Sequence, residues 1–319
     1  MGRLFESYKF GINTNGVPYD LQVEIERASC GHPASFMILL RLFSDNLPTI
    51  GQWKKALHEN LSKYINGTHI TLKNEIDNMN THERKYIRSL TEYMADRWEI
   101  DLNNLTDLDK KLLDIGILYL VDSNSVAFTS YIILRVCIDA LFPSPSRPIP
   151  KKEVPDNPVD LLALGLSWIN PTIVTDKRVQ NKVGISERIM QASLFCVFNG
   201  ILPRPMMCLL EMKGEGRTRL DLMIVDGDKN LVAYSLKCNK ISSNDFEKPI
   251  DQAQMYAGHF DMGISLVNFF LSGHKPPSVL DNITEEIFII NIEYNSACTQ
   301  FTITLQSDPD YSKVVDIKS

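Results

Sequence analysis

Residues 211–240 form the stretch that most constrains how this chain folds. The pattern predicts three short strands joined by two turns, with Gly214 and Gly216 at the first turn and Gly-Asp-Lys-Asn at residues 227–230 forming the second. Most of the other positions are Leu, Met, Ile, Val or Tyr, which is typical of a sheet covered on both faces. Polar side chains within such strands therefore need a specific reason to be there.

Turn geometry predicts which of these polar side chains meet. A first turn centred on its second glycine places Glu211 opposite Asp221 on antiparallel strands, with both side chains on one face. A second turn centred near residues 228–229 places either Ser235 or Lys237 opposite Asp221. Ser235 and Lys237 share a face because they are two residues apart. The sequence thus predicts a polar cluster inside an apolar sheet.

Length, charge and cysteine usage narrow the class of protein. The 319 residues, 44% of them hydrophobic, suffice for a sizeable core and predict two domains. A net charge of -6 gives no global basic signal, so any nucleic-acid contact is expected from a local patch. Six scattered cysteines without a CxxC pair predict reduced thiols in an intracellular protein, cytoplasmic or nuclear. No apolar run approaches a membrane span and no export signal is visible, so no membrane association is expected.

A proline-rich segment is predicted to divide the chain. Residues 143–158 carry six prolines, which disfavour helix and central strand and favour an extended linker. Residues 1–142 before it are predicted to be mainly helical, with Thr81 as a candidate cap and two short strands around a polar turn at 119–128. The predicted helices are 20–27, 34–43, 50–61, 82–98, 107–118 and 130–141. This is a winged-helix pattern, which we interpret first as a packing or interaction module, with DNA binding as the alternative.

Residues 159–319 are predicted to form a mixed sheet flanked by helices. The helix at 186–198 is expected to begin near Gly184 and Ser186 and to end at Gly200. The three strands of the opening stretch follow, and the remaining predicted elements are a helix at 245–258 and strands at 264–271, 286–294 and 299–305. This order predicts an α/β or α+β layered domain, and an α+β protein overall.

Four motifs in the second domain resemble, in their order, those of the PD-(D/E)XK nuclease family. In that family a helix glutamate precedes a hairpin, an aspartate lies in the second strand, the third strand carries (D/E)xK, and the next helix often carries QxxxY. The matching residues are Glu187, Asp221 in Arg-Leu-Asp, Lys237 in Ser-Leu-Lys, and Gln252 and Tyr256 in Gln-Ala-Gln-Met-Tyr. The match covers about residues 180–275 and implies a restriction-endonuclease-like fold for residues 159–319.

The resemblance implies a metal-dependent nucleic-acid phosphodiesterase, endonuclease-like, with DNA as the expected substrate. The implied catalytic residues are Asp221, Lys237, Glu187 and Gln252. The implied ligands of Mg²⁺ or Mn²⁺ are Asp221, Glu211, Glu187 and the main-chain carbonyl of Leu236, because hard cations prefer oxygen. The implied nucleic-acid contacts are Arg217, Arg219, Tyr256 and Lys240. Lys237 would orient or deprotonate the attacking water, or offset charge in the transition state.

One position departs from the family pattern. The acid of the third strand is Ser235 here, and a serine hydroxyl is a neutral and weak ligand for Mg²⁺. Either Glu211 or Glu187 replaces that ligand, or the domain is a catalytically inactive pseudonuclease that binds nucleic acid or protein.

Each matching residue also has a structural interpretation when it is taken singly. Lys237 can be a strand-end lysine that reaches solvent, and Asp221 can be half of a structural ion pair. Gln252 and Tyr256 can be a helix face that packs on the sheet. Taken together, these structural interpretations are weaker. Burying several charged side chains in one cluster costs free energy, and a purely structural role does not explain that cost.

The N-terminal region carries a second resemblance. Cys-Gly-His-Pro at residues 30–33, followed by helices, and Lys-Leu-Leu-Asp-Ile-Gly-Ile-Leu-Tyr at 111–119 are similar to the lid and winged helix of STAND or AAA-type ATPases. No GxxxxGK[ST] loop occurs, so this chain is not expected to be an ATPase on its own. The combination resembles the C-terminal half of Crinkler-type effectors of fungi and oomycetes. That resemblance implies an ATPase domain or protein partner, and a host nucleus as one destination.

Overall fold

The helices and strands of the chain form a mixed α+β protein, as predicted, and fall into two compact units, Met1–Leu141 and Phe142–Ser319. The computed structural model describes residues 21–23, 25, 29, 39, 70–91, 98–99, 101–145, 147–176, 184–213, 219–227, 229–274, 283–308 and 310–318. Within these ranges, the side chains of residues 70, 71, 98, 99, 102, 131, 211–213 and 219 are outside the description. None of the described helices is both long and apolar enough to span a membrane.

The first unit combines helices with a small antiparallel sheet. Its described helices are α1 (Ile70–Asn78), α2 (Thr81–Leu90), α3 (Asp107–Asp114) and α4 (Tyr131–Leu141). Its strands are β1 (Trp98–Glu99), β2 (Leu118–Leu120) and β3 (Ser125–Phe128), in the order β1-β3-β2. The predicted pair of strands around a polar turn is confirmed. The predicted helices at 34–43 and 50–61 lie outside the described residues, apart from position 39, which is helical.

Three predicted helix boundaries in this unit are wrong. The cap of α2 is Asn80 rather than Thr81, because Asn80 and Glu83 exchange side-chain to main-chain hydrogen bonds of 3.0 and 2.8 Å. This helix ends at Leu90 rather than at residue 98, where the chain pairs with β3 instead. Helix α3 ends at Asp114 rather than at residue 118, because Leu118 is already the first residue of the strand β2.

The second unit contains a seven-stranded sheet with helices. Its described helices are α5 (Pro158–Leu166), α6 (Pro171–Val174), α7 (Glu187–Ile201) and α8 (Asn244–Phe260). Its strands are β4 (Met206–Lys213), β5 (Arg219–Asp226), β6 (Lys229–Cys238), β7 (Ile264–Leu271), β8 (Ile287–Tyr294), β9 (Gln300–Leu305) and β10 (Ser312–Asp316). The order is β10-β9-β8-β7-β6-β5-β4, and only the β6-β7 and β7-β8 pairs are parallel. All the strands predicted in this unit are present, while α5, α6 and β10 were not predicted.

The proline-rich segment falls within the second unit. Residues 151–153 form a short 3-10 turn, and α5 begins at Pro158, the last residue of the predicted linker. The main-chain N–H of Ile149 donates to the carbonyl of Ile201 at 2.8 Å. Gly200 does not end α7 but lies inside it, where a Cβ atom would come within 2.4 Å of the carbonyl oxygen of Pro145. The glycine is therefore required by close backbone approach.

The register of the three central strands decides which polar residues meet. Leu210 pairs with Leu222 across β4 and β5, so the backbone of Glu211 lies opposite Asp221, as predicted. Leu222 pairs with Tyr234 across β5 and β6, so Ser235 lies opposite Asp221. Of the two alternatives for the second turn, the structure thus has the one that leaves Lys237 diagonal to Asp221.

Helices α7 and α8 supply much of the core around this sheet. Phe198 of α7 stacks on Tyr234 of β6 with ring centroids 6.2 Å apart. Helix α8 contributes Phe246, Ile250 and Ala253 to a buried apolar cluster with residues of β4 to β8. The sheet therefore holds its central strands rigidly between packed helices, which fixes any site built on β5 and β6.

Candidate active site

The entry into α7 is fixed by a tyrosine from β8. Gly184 has φ +143°, and a Cβ atom there would lie 2.1 Å from the hydroxyl oxygen of Tyr294. The same hydroxyl accepts a hydrogen bond from the N–H of Ile185 at 3.2 Å. Ser186 then caps the helix by accepting from the N–H of Ile189 at 3.3 Å. Glu187 follows as the first residue of the helix. Its position is fixed by the Tyr294 contact before it and by the Ser186 cap on the first turn.

A buried glutamine ties this helix to the strand that carries Asp221. The side chain of Gln191, one turn after Glu187, is fully buried and donates from Nε2 to the main-chain oxygen of Asp221 at 3.1 Å. Its Oε1 atom accepts from the guanidinium of Arg188 at 3.1 Å. Residues four apart share a face of a helix, so Gln191 lies on the face of Glu187 and aligns α7 with β5.

Asp221 is a buried carboxylate with defined partners. Its side chain is 10% exposed, and Oδ2 accepts from the N–H of Leu236 at 2.7 Å. The hydroxyl of Ser235, which is fully buried, lies 3.5 Å from the same oxygen. Within the described part of the chain, all contacts of this carboxylate fall on Oδ2. Oδ1 is therefore the atom that an additional ligand would take.

Lys237 brings its ammonium into the middle of this group. Nζ lies 2.8 Å from the carbonyl oxygen of Leu236, and 3.7 Å from both Oδ2 of Asp221 and Oε1 of Glu187. The side chain is only 13% exposed, so the interpretation of Lys237 as a lysine reaching solvent is wrong. Nζ thus contacts three of the four oxygen-bearing groups that the sequence assigned to a metal ion, and the side chain of the fourth, Glu211, is outside the description.

These oxygens fit a hard divalent cation. Mg²⁺ is commonly held in proteins by one or two carboxylates, with water and substrate oxygens completing its shell. Asp221, Glu187 and the carbonyl of Leu236 provide that donor set. The positively charged ammonium of Lys237 already lies among these oxygens. Among the described residues, no three His, Cys, Asp or Glu side chains form a group that could hold a metal ion. The side chain of Glu211 is not among those described.

Three comparisons with known proteins bear on this site. No protein-family model, no curated protein and no solved structure matches this chain. The resemblance to the PD-(D/E)XK family therefore stays a prediction, and the chemistry of the site is argued from its own residues.

The other predicted site residues fall into three groups. Arg217 lies outside the described residues, and the strand positions of Glu211 and Arg219 are described without their side chains. The described hydrogen bonds and ion pairs of Asp221, Glu187 and Lys237 do not include Gln252 or Tyr256. Burial raises the pKa of Glu187, and the positive charge of the remaining predicted contact, Lys240, opposes that rise only weakly.

Gln252 and Tyr256 bond to each other on α8. The amide Nε2 of Gln252 lies 2.6 Å from the hydroxyl of Tyr256. Tyr256 is fully buried in the apolar cluster beneath α8, so its ring offers no surface to a phosphate or sugar. We assign Tyr256 a packing role, which is the structural interpretation that the sequence left open.

The environment of Glu187 shifts its acidity. Burial is the largest cause and raises the pKa of this carboxyl above its ordinary value. The Lys237 ammonium opposes the shift, while the Asp221 carboxylate adds to it. The direction is a net rise in the pKa of Glu187, and because its side chain is 37% exposed, solvent screens part of the cost of its charge.

Glu187→Gln is therefore expected to raise the Tm at pH 7. A carboxyl whose pKa is higher in the folded state stabilises that state fully below the unfolded pKa, about 4.3, and loses this contribution as pH rises. The variant removes the ionised form, so the gain should grow from about pH 4.3 upward and disappear below it. Thermal unfolding of both proteins between acidic and neutral pH measures the difference.

Glu247→Gln is the matched control for this prediction, because Glu247 is an exposed glutamate in the first turn of α8. Its Tm difference from the unsubstituted protein should stay small across the same pH range. A lower Tm for Glu187→Gln at pH 7 would show that the pairing with Lys237 dominates burial, which contradicts the account of this carboxyl.

Proposed function

We propose that the second unit is a metal-dependent nucleic-acid phosphodiesterase of the PD-(D/E)XK type, endonuclease-like, with DNA as its expected substrate. The observation that carries the proposal is the convergence of Asp221, Glu187 and the Leu236 carbonyl on one mostly buried ammonium. Buried charges gathered at this cost are typical of functional sites. The order of the motifs along the chain supports the same reaction class.

The chemistry follows from the groups that the site holds. When bound, Mg²⁺ or Mn²⁺ supplies Lewis acidity and a more acidic coordinated water. Asp221, Glu187 and the carbonyl of Leu236 are the groups that would hold the cation. The ammonium of Lys237, once released from these oxygens, donates to a non-bridging phosphate oxygen and offsets the charge that develops there. The strand β6 thus supplies both a ligand and the charge-stabilising group from adjacent residues.

A second candidate function is a catalytically inactive module that binds nucleic acid or protein. Two observations favour it. The third-strand acid of the family pattern is the neutral Ser235, whose hydroxyl faces Asp221. The positive charge of Lys237 already offsets one of the two negative charges of Asp221 and Glu187.

Ser235→Asp separates the two candidates. A third carboxylate in contact with Asp221 raises the charge of the site, and affinity of oxygen sites for divalent cations increases with the number of charged ligands. We expect Mn²⁺ affinity to rise at least about tenfold and plasmid cleavage to accelerate. Calorimetry and a supercoiled-plasmid nicking assay with Mn²⁺ measure these effects, with EDTA as the background.

Ser265→Asp provides the control, because Ser265 is also a buried strand serine but lies on β7 beside Tyr234 rather than beside Asp221. It should destabilise the fold without increasing Mn²⁺ affinity. Intact plasmid with the unsubstituted protein, and no gain from Ser235→Asp, would support the inactive module instead.

The same proposal includes the cellular compartment in which the activity occurs and the partners of the first unit. The resemblance to Crinkler-type effectors suggests action on DNA in a nucleus, with the first unit as a lid and winged helix that serves an ATPase domain or protein partner. The strands β2 and β3 between helices α3 and α4 support the winged-helix interpretation. Salt-independent affinity of the protein for DNA would argue against it.

A further inference from the structure

Two buried asparagines interrupt the apolar strands beside the candidate site. Asn268 of β7 is fully buried and Asn291 of β8 is 3% exposed. The register places Lys237, Asn268 and Asn291 side by side across the parallel strands β6, β7 and β8. Buried amides carry a desolvation cost unless hydrogen bonds compensate it, so their partners indicate what they are for.

The hydrogen bonds of Asn268 hold the main chain just after β6. Its Oδ1 accepts from the N–H of Lys240 at 3.0 Å, and its Nδ2 lies 2.9 Å from the Lys240 carbonyl oxygen. The same amide group lies 3.2 Å from Oδ1 of Asn291, which orients it. A single buried side chain therefore bonds both main-chain polar groups of Lys240, as a neighbouring strand would.

The segment that Asn268 holds turns sharply. Asn239 has φ 58°, in the left-handed region, and its N–H donates to the carbonyl of Phe269 at 2.7 Å. Lys240 follows directly, three residues after Lys237. Asn268 pairs with Lys237 in the register and bonds the main chain of Lys240, so Lys240 lies at the end of β6 that carries the candidate site.

We infer that Asn268 is a positioning residue, which fixes Lys240 beside the acidic site so that its ammonium meets a phosphate of the bound nucleic-acid backbone. This inference rests on the proposed function, because it requires a polyanionic substrate. It adds a residue with no predicted role, on a strand that the motifs of the family do not include. Lys240 then contributes electrostatic affinity next to the scissile position, and Lys237 remains available for the reacting phosphate.

The test is the salt dependence of binding to a short DNA duplex, measured by fluorescence anisotropy with Ca²⁺ in place of Mg²⁺. Each phosphate neutralised by a cation contributes about 0.9 to the slope of log affinity against log salt concentration. Lys240→Gln is expected to reduce the slope by about 0.9, and Asn268→Ala by a comparable amount. The double variant should lose no more than either single variant, because both remove the same contact.

Asn199→Ala is the matched control. Asn199 of α7 accepts from the N–H of Cys208 at 2.9 Å and its Nδ2 lies 3.1 Å from the Cys208 carbonyl oxygen. It thus makes the same pair of contacts to a residue of β4 that has no part in the site. Its loss should lower the Tm and leave the salt slope unchanged.

The outcomes distinguish the inference from the proposed function. A reduced slope in Lys240→Gln with an unchanged slope in Asn268→Ala overturns the positioning role alone, and an unchanged slope in Lys240→Gln overturns the phosphate contact. The absence of any DNA binding by the unsubstituted protein overturns the proposed function together with the inference. Should Asn268→Ala fail to fold, amide hydrogen exchange in the unsubstituted protein decides: slow exchange of the Lys240 N–H supports the role, and rapid exchange contradicts it.

Discussion

Asp221→Asn is expected to lower Mn²⁺ affinity at least about 100-fold and DNA cleavage on the order of 1,000-fold. The substitution keeps the shape of the side chain and its acceptance from the Leu236 N–H, but it removes the charge. Loss of an outer-shell partner alone costs about 10- to 100-fold in metal affinity, and loss of a direct ligand should cost more. Calorimetry with Mn²⁺ and the plasmid assay measure the two effects.

Asp226→Asn is the control from the same strand. Asp226 pairs with Lys151 at 2.7 Å and lies five residues from Asp221, roughly 17 Å along an extended strand. It should leave Mn²⁺ binding and cleavage close to those of the unsubstituted protein. Equal losses in both variants would mean that Asp221 acts through stability rather than through the metal.

Lys237→Met is expected to change binding and cleavage in opposite directions. The substitution removes the positive charge 3.7 Å from two carboxylates, so the metal-free site gains net negative charge. Mn²⁺ affinity should rise about tenfold, which corresponds to about 1.4 kcal/mol and is modest for one charge removed at this distance. Cleavage should fall about 100- to 1,000-fold, because the transition state loses its stabilising cation.

The stability of the metal-free protein gives a second readout for Lys237→Met. The buried carboxylate of Asp221 and the half-exposed one of Glu187, left without their counter-ion, should lower its Tm at neutral pH, and Mn²⁺ should restore much of the loss. Lys313→Met removes the partner of Asp160, an ion pair of 2.5 Å elsewhere in the unit, and should not alter Mn²⁺ affinity. Weaker Mn²⁺ binding by Lys237→Met would show that the lysine holds the ligands in place rather than competing for them.

Much of the second unit could be predicted from local sequence. The alternation of turn residues with apolar runs located β4, β5 and β6, and the continuous apolar runs located β7 and β8. The strand β10 was not predicted because Ser-Lys-Val-Val-Asp is short and partly polar. It lies at an edge of the sheet, where few side chains are buried and no apolar pattern is needed. The prediction for Gly200 was wrong because glycine is used both to end a helix and to allow a close contact, here with residues 144–145. The sequence does not distinguish these two causes.

The candidate site was only partly predictable. The resemblance to the nuclease motifs implied Glu187, Asp221 and Lys237, and the structure brings these three side chains together. Gln191 and Asn268 were assigned no role, because their partners lie 30 and 28 residues away along the chain. A polar amide inside an otherwise apolar run was the available signal in both cases. Such a residue shows that a partner exists, while only the fold shows which one.

The central claim is that Asp221, Glu187 and the Leu236 carbonyl form a divalent-cation site for phosphodiester hydrolysis. Crystals soaked in Mn²⁺ and measured for anomalous scattering test it most directly. The account predicts one peak about 2.1 Å from Oδ1 of Asp221 and from the Leu236 oxygen, with the Lys237 ammonium displaced from that position. No peak there, with Lys237 still in contact with the Leu236 oxygen at saturating Mn²⁺, would contradict it.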